Sequence, residues 1–127
     1  MIISQIASIC IGASLGALLR YGLGLSMNSI FPTMPLGTFF ANILGGFLMG
    51  IFMGLIKDQS FFPNTMKLAI ATGFLGSLTT FSTFSAETLT LLTHGQYLWS
   101  SIMITSHVAG SIFATFLGLY SVKVLSY

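Results

Sequence analysis

Apolar residues fill this chain in long runs that formal charge interrupts at only six positions: Arg20, Lys57, Asp58, Lys67, Glu87 and Lys123. The stretches between them, 2–19, 21–56, 68–86 and 88–122, carry no charge. A helix needs roughly 20 apolar residues to cross the hydrocarbon of a bilayer. The runs therefore predict four spans, at about 2–27, 36–56, 66–93 and 97–124. Pro32 and Pro35 mark the first connection, because proline ends one helix and suits the first turn of the next. The polar stretch from Lys57-Asp58-Gln59-Ser60 to Pro63-Asn64-Thr65 makes the second. His94-Gly95-Gln96 makes the third, glycine being a usual helix stop. The pattern predicts an all-α membrane protein with a single domain over residues 1–127.

Within the spans, small and polar residues recur at helical spacing. Gly12 and Gly16 in span one, and Gly46, Gly50 and Gly54 in span two, suit close helix packing. Thr38 and Asn42 are i, i+4 neighbours, so a hydroxyl and an amide share one face. Asn42 reads either as interhelical glue or as a donor lining a pore, since an amide in hydrocarbon is costly without a partner. His107, Ser111 and Thr115 repeat at i, i+4, i+8 and draw a polar stripe through span four, a polar pathway or a buried polar contact. Tyr97 and Trp99 at one end, with Tyr120 and Tyr127 at the other, match interfacial aromatic belts.

Span three differs from an anchor. In Gly73-Phe74-Leu75-Gly76-Ser77-Leu78-Thr79-Thr80-Phe81-Ser82-Thr83-Phe84-Ser85, six of thirteen residues carry hydroxyls and two are glycine. Both residue types weaken a helix, so this span is expected to break mid-membrane. A break exposes carbonyls that can hold a cation and a half-helix N-terminus that favours an anion. Phe81 and Phe84, at i, i+3, read as core packing or as ring edges whose positive rim could face an anion. Glu87, one turn further on, is an acid inside a span and so a functional candidate, or else it reaches the interface or a partner chain. Arg20 either snorkels to the headgroups or fixes a positive charge at a pore mouth.

Composition narrows the classes. With 54% hydrophobic and 5% charged residues, and a mean hydropathy of +0.96, the chain lies far from soluble domains, where roughly 25% of residues are charged. A net charge of +2, scattered along the chain, does not suggest nucleic acid. The lone Cys10 excludes an intramolecular disulfide and a multi-cysteine metal site. The first span lacks a basic n-region and reads as retained rather than as a signal peptide. No nucleophile–base pair or cofactor motif points to an enzyme. An ion channel fits these features. A small dual-topology, proton-coupled exporter of organic cations would need Glu87 as its carboxylate and leaves the hydroxyl-rich break unexplained. A structural subunit of a larger complex explains the glycine ridges but not the polar residues on three spans.

Two motifs then stand out: Gly37-Thr38-Phe39-x-x-Asn42-x-x-Gly45, and Thr72-Gly73-Phe74-x-Gly76-x-Leu78-Thr79-Thr80-Phe81-Ser82-Thr83-Phe84-Ser85-x-Glu87. Together with Arg20-Tyr21 after a glycine-rich first span, they closely resemble the Fluc (CrcB) fluoride channel family. The likeness covers essentially the whole chain, and its T-T-F-S-T-F-S core is highly specific. The resemblance implies a passive, fluoride-selective channel in the bacterial inner membrane that exports toxic fluoride, built as an antiparallel, dual-topology homodimer with two pores. It implies that Phe81 and Phe84 line the pore, that Asn42 is an essential polar donor, and that Ser82 and Thr83 belong to a polar track. It further implies that the carbonyls of Gly76 and Thr79 coordinate a structural sodium ion at the dimer interface. Thr38, Glu87, His107, Ser111 and Thr115 match positions of the polar track or vestibule, with Arg20 at the vestibule. Lys57, Lys67 and Lys123 fall on one side and Arg20 toward the other, a modest bias that dual topology must override.

Overall fold

A computed structural model describes residues 1–57 and 62–127, and among these the chain is helical throughout. Helix α1 covers Ile2–Met27 and α2 covers Leu36–Leu55. Span three is composite. A first turn, α3 (Asn64–Lys67), widens into a π-helical stretch over Leu68–Leu75, narrows again in α4 (Gly76–Leu78), and resumes after two extended residues as α5 (Phe81–Thr93). Helix α6 covers Tyr97–Leu125. Four helical stretches, Ile2–Met27, Leu36–Leu55, Asn64–Thr93 and Tyr97–Leu125, are long and apolar enough to cross a membrane. Asp58, Gln59 and Ser60 of the second polar connection lie outside the described residues.

Local chemistry sets the turns. Asn28, the residue that ends α1, accepts the backbone N–H of Thr38 through Oδ1 at 3.3 Å. It thereby satisfies one of the donors that the first turn of α2 leaves without a helical partner. Between them the 28–35 connection is pinned by Phe31, whose ring lies 5.2 Å from that of Trp99. Gly95, at φ 72°, ends α5 in the left-handed conformation. Its N–H donates to Leu92 and that of Gln96 donates to Leu91, the paired bonds of a Schellman cap.

Glycines decide which helices meet. A Cβ on Gly12 would run into the carbonyl of Ala69, and one on Gly16 into that of Phe74. Helix α1 therefore lies with its backbone directly on the first half of span three. On the other side of the molecule a Cβ on Gly50 would strike the Thr115 carbonyl, and one on Gly118 the Phe47 carbonyl. Helices α2 and α6 thus approach equally closely, and residue numbers rise together in both pairs, so each pair runs parallel. Adding one methyl at Gly50 must push these backbones apart. Gly50→Ala is expected to cost about 1–3 kcal/mol, read as a lowered unfolding midpoint in detergent, whereas an unchanged midpoint would mean the α2–α6 contact is not tight. Two apolar clusters fill the remaining space among the described residues. Met34, Phe84, Leu91 and Met103 form one, and Ala41, Phe52, Leu75 and Leu78 the other.

Candidate functional site

The site is built where span three leaves the helix. The ladder runs as far as the Thr79 N–H, which donates to the Leu75 carbonyl at 3.1 Å. Thr79 (φ −82°, ψ 152°) and Thr80 (φ −148°, ψ 117°) are then extended. Their hydroxyls complete what the backbone has lost. Thr79 Oγ1 donates back to the Leu75 carbonyl at 2.9 Å. Thr80 Oγ1 accepts the Thr83 N–H at 3.1 Å and so caps α5. The same oxygen donates to Thr83 Oγ1 at 3.0 Å and lies 3.4 Å from Ser82 Oγ, which joins the three hydroxyls.

Extended backbone in an apolar interior needs partners, and Asn42 on α2 supplies them. Its Oδ1 accepts the Thr80 N–H at 2.7 Å, and its Nδ2 donates to the Thr80 carbonyl at 3.1 Å. The amide side chain thus does for Thr80 what a neighbouring strand would do. Its second N–H reaches Nδ1 of His107 on α6 at 3.0 Å. Space for this approach comes from Gly45, one turn along α2, where a Cβ would collide with Thr79 Cγ2.

With Thr80 N–H bonded to Asn42, the Gly76 carbonyl no longer receives it. The Thr79 carbonyl likewise forgoes the Thr83 N–H, which Thr80 Oγ1 takes. Between them, the Ser77 carbonyl accepts Arg20 Nε from α1 at 3.0 Å. A guanidinium is a favourable cap for carbonyls at a helix C-terminus. Arg20 is therefore half-buried against span three, tied to the end of α4.

Aromatic rings close one wall. Phe84 is buried at 6% exposure and stacks on His107, with centroids 4.7 Å apart at 29°. Phe39 meets the same imidazole edge to face at 5.4 Å. Phe81 packs against Phe84 at 5.5 Å and 63°, yet it is 77% exposed in the single chain. An open cavity of about 450 Å³ is bordered by Asn42, Gly76, Thr79, Thr80, Phe81, Phe84, His107, Ser111 and Thr115. On α6, Thr115 Oγ1 donates to the Ser111 carbonyl at 2.9 Å, so its hydroxyl is partly engaged within the helix.

A second hollow of about 360 Å³ lies at the α5–α6 turn, among Pro32, Thr33, Pro35, Glu87, Thr90 and His94. Glu87 Oε1 accepts the Thr38 hydroxyl at 2.7 Å, while Oε2 is buried without a hydrogen-bond partner among the described residues. The residues singled out from the sequence therefore fall into three groups. Asn42, Gly76, Thr79, Phe81, Phe84, His107, Ser111 and Thr115 share the larger cavity. Ser82 and Thr83 reach it through the Thr80 hydroxyl, and the Thr38–Glu87 pair adjoins the smaller hollow. Arg20 stands apart, on the α1 side of span three.

Sequence reasoning placed Thr80 in the break but missed its pairing with Asn42, the contact of Phe39 with His107, and the Arg20–Ser77 bond. For Thr80 a signal existed: an isolated amide in one apolar span, facing a helix-weak stretch in another, has freed backbone as its natural partner. Phe39 stands in the Gly37-Thr38-Phe39 motif, but nothing in the one-dimensional pattern says that its ring meets His107.

The sequence matches known proteins over most of its length. Residues 7–119 match the model of a family described as CrcB-like protein, Camphor Resistance (CrcB). A protein of Nitrosospira multiformis named fluoride-specific ion channel FluC is 52% identical over 115 residues, covering 91% of this chain and 90% of that one. One of the same name from Thiobacillus denitrificans is 49% identical, covering 90% and 92%. A third, from Tolumonas auensis, is 47% identical and covers 95% of both chains.

Proposed function

The chain belongs to the CrcB family, a multi-pass membrane family, and from that premise we propose that it is a fluoride channel relieving fluoride toxicity by passive export across a bacterial inner membrane. The observation that carries this reading is the identity of about half, over nine-tenths of the chain, to relatives named fluoride-specific ion channels. The geometry of the larger cavity agrees with it.

Fluoride is small and tightly hydrated, and an unpaired ion in low dielectric costs tens of kcal/mol. A path must replace its water with donors, yet hold it weakly enough to let it leave. Amide, imidazole and hydroxyl groups from Asn42, His107, Ser111 and Thr115 border the cavity, beside the rings of Phe81 and Phe84. The positive rims of such rings offer broad, weak stabilisation without a full charge. Ser82 and Thr83 extend the hydroxyl row on α5. Thr38 and Glu87 form the polar lining of one mouth, and Arg20 contributes a positive charge on the α1 side of span three.

The interruption at Thr79–Thr80 sits at the level of Gly45, the middle of α2, which supports a break of span three at mid-membrane. Non-helical backbone at that depth is tolerated only under protein or beside water. Because Phe81 and the cavity are open in one chain, a second copy laid antiparallel against this face would close the pathway, giving a dual-topology homodimer. The carbonyls of Gly76 and Thr79 fit a sodium ion by donor chemistry: both are oxygen ligands released from the helical ladder, and both border the open face. Two from each subunit would supply four. Such an ion would hold the two chains together rather than travel.

Liposomes loaded with potassium fluoride test the channel directly. Wild-type protein is expected to release fluoride rapidly and chloride from parallel liposomes hardly at all. Equal efflux of the two halides, or none of either, would sink the reading.

A further inference from the structure

We infer that the Thr79 side chain and Gly45 form a knob and notch that fix the interruption of span three against α2, which makes both of them positioning residues for the anion pathway. The effect on conduction rests on the fluoride-channel reading, whereas the lock itself rests on geometry.

Thr79 is the last residue whose N–H joins the ladder and the first whose backbone is extended. Its side chain spans that junction. Oγ1 donates to the Leu75 carbonyl at 2.9 Å, the same oxygen that accepts the Thr79 N–H at 3.1 Å. A carbonyl has two lone pairs for these two bonds. With Oγ1 tied, the fixed hand at Cβ decides where the methyl goes, and it goes to Gly45, where a Cβ would run into Thr79 Cγ2. Buried Leu78 also borders the notch, its Cδ2 3.8 Å from the same point. A β-branched side chain is stiff at χ1. The methyl can leave the notch only by a rotation that breaks the Oγ1 bond.

Gly45 and Asn42 are i, i+3 neighbours on one face of α2. They engage consecutive residues of the break. The notch takes the Thr79 methyl, and the amide pairs with both the N–H and the carbonyl of Thr80. An amide alone is one point of attachment, and a seated methyl one turn away makes a second that fixes the angle. Only threonine carries a hydroxyl and a methyl on one Cβ, so no other residue at 79 makes both contacts. Gly45, Thr79, Thr80 and Phe81 all border the larger cavity. The seating of the break therefore sets where the hydroxyl row and the Phe81 ring stand along the path.

A double-mutant cycle on the full-length protein reads the lock. Gly45→Ala is expected to lower fluoride efflux from liposomes about tenfold or more, since methyl then meets methyl. Thr79→Ser keeps the hydroxyl and removes the methyl, and should lose about threefold. Together the two changes return one methyl to a space that held one, so the double variant should lose no more than Thr79→Ser alone. Losses that multiply in the double variant overturn the proposal. If Gly45→Ala is not recovered folded, the rescue is read as recovery of folded protein, and a double variant that also fails to fold overturns it.

Magnetic resonance in lipid bilayers adds a readout that a general loss of packing would not move. Thr79–Thr80 is the only adjacent threonine pair in the sequence, so labelling threonine carbonyl carbons and nitrogens selects the Thr80 amide by itself. In Gly45→Ala its resonance is expected to move toward the position it takes in Asn42→Ala, where the bond to Asn42 Oδ1 is gone. A Thr80 amide unmoved by Gly45→Ala overturns the proposal even where efflux is lost, because the added methyl would then act on the pathway and not on the break. Silent wild-type liposomes would count against the channel reading alone, since the amide shift is read without any ion.

Discussion

Asn42→Asp is expected to lower fluoride efflux from loaded liposomes by about a hundredfold or more, the largest loss of any conservative replacement in the site. The exchange changes one atom type and almost no volume. It nevertheless turns a nitrogen with two hydrogens into an oxygen with none. That oxygen would face the Thr80 carbonyl and His107 Nδ1, both of which act as acceptors toward Asn42. Two hydrogen bonds become two repulsive contacts in a buried setting, where leaving one partner unpaired costs about 1–3 kcal/mol and each 1.4 kcal/mol is tenfold in a rate or equilibrium. A carboxylate would also place negative charge beside an anion's route. Asn42→Ala removes the bonds without adding charge, so its efflux should fall less. Efflux from Asn42→Asp indistinguishable from wild type, in protein that elutes as folded, would show that neither the amide bridge nor the local charge matters for conduction.

Much of the architecture is legible in the chain because membrane folds obey a coarse rule. Charge is excluded from hydrocarbon and backbone must be self-satisfied. Six charged positions and three turn signals are then enough to bound four spans. Glycine spacing likewise marks the tight helix pairs, since only a missing Cβ lets backbones approach as they do at Gly12 and Gly50. What is not legible is which polar group meets which. The spacing of Thr38 and Asn42 suggests a shared polar function. Instead their side chains part company, Thr38 reaching Glu87 and Asn42 reaching Thr80 and His107. Four residues turn a helix by about 40° beyond a full rotation, which is enough to direct neighbours on one face at different helices. The π-helical stretch over Leu68–Leu75 also has no residue signature; it is the part of span three on which Gly12 and Gly16 of α1 lie. Arg20 shows a third limit. Its place in the sequence suggests an interfacial charge, but a carbonyl left free at Ser77 gives it a partner against span three.

The two phenylalanines of the central motif look equivalent in sequence and should separate in experiment. Phe84 is buried with Met34, Leu91 and Met103 and carries the stack on His107. Truncating it to alanine is expected to cost about 3–5 kcal/mol of stability and to release the imidazole from its plane, so efflux and unfolding midpoint should fall together. Phe81 is 77% exposed in the single chain and touches Phe84 edge to face. Phe81→Ile keeps an apolar side chain, and because the ring is little buried within its own chain it should lower unfolding stability in detergent far less than Phe84→Ala. It deletes the ring rim, however, and fluoride efflux should then drop about tenfold, toward the upper end of what one aromatic contact contributes. The comparison isolates the electrostatic part of the wall from its packing part. Wild-type efflux from Phe81→Ile would take that ring out of the pathway and leave the wall to the rings packed on His107.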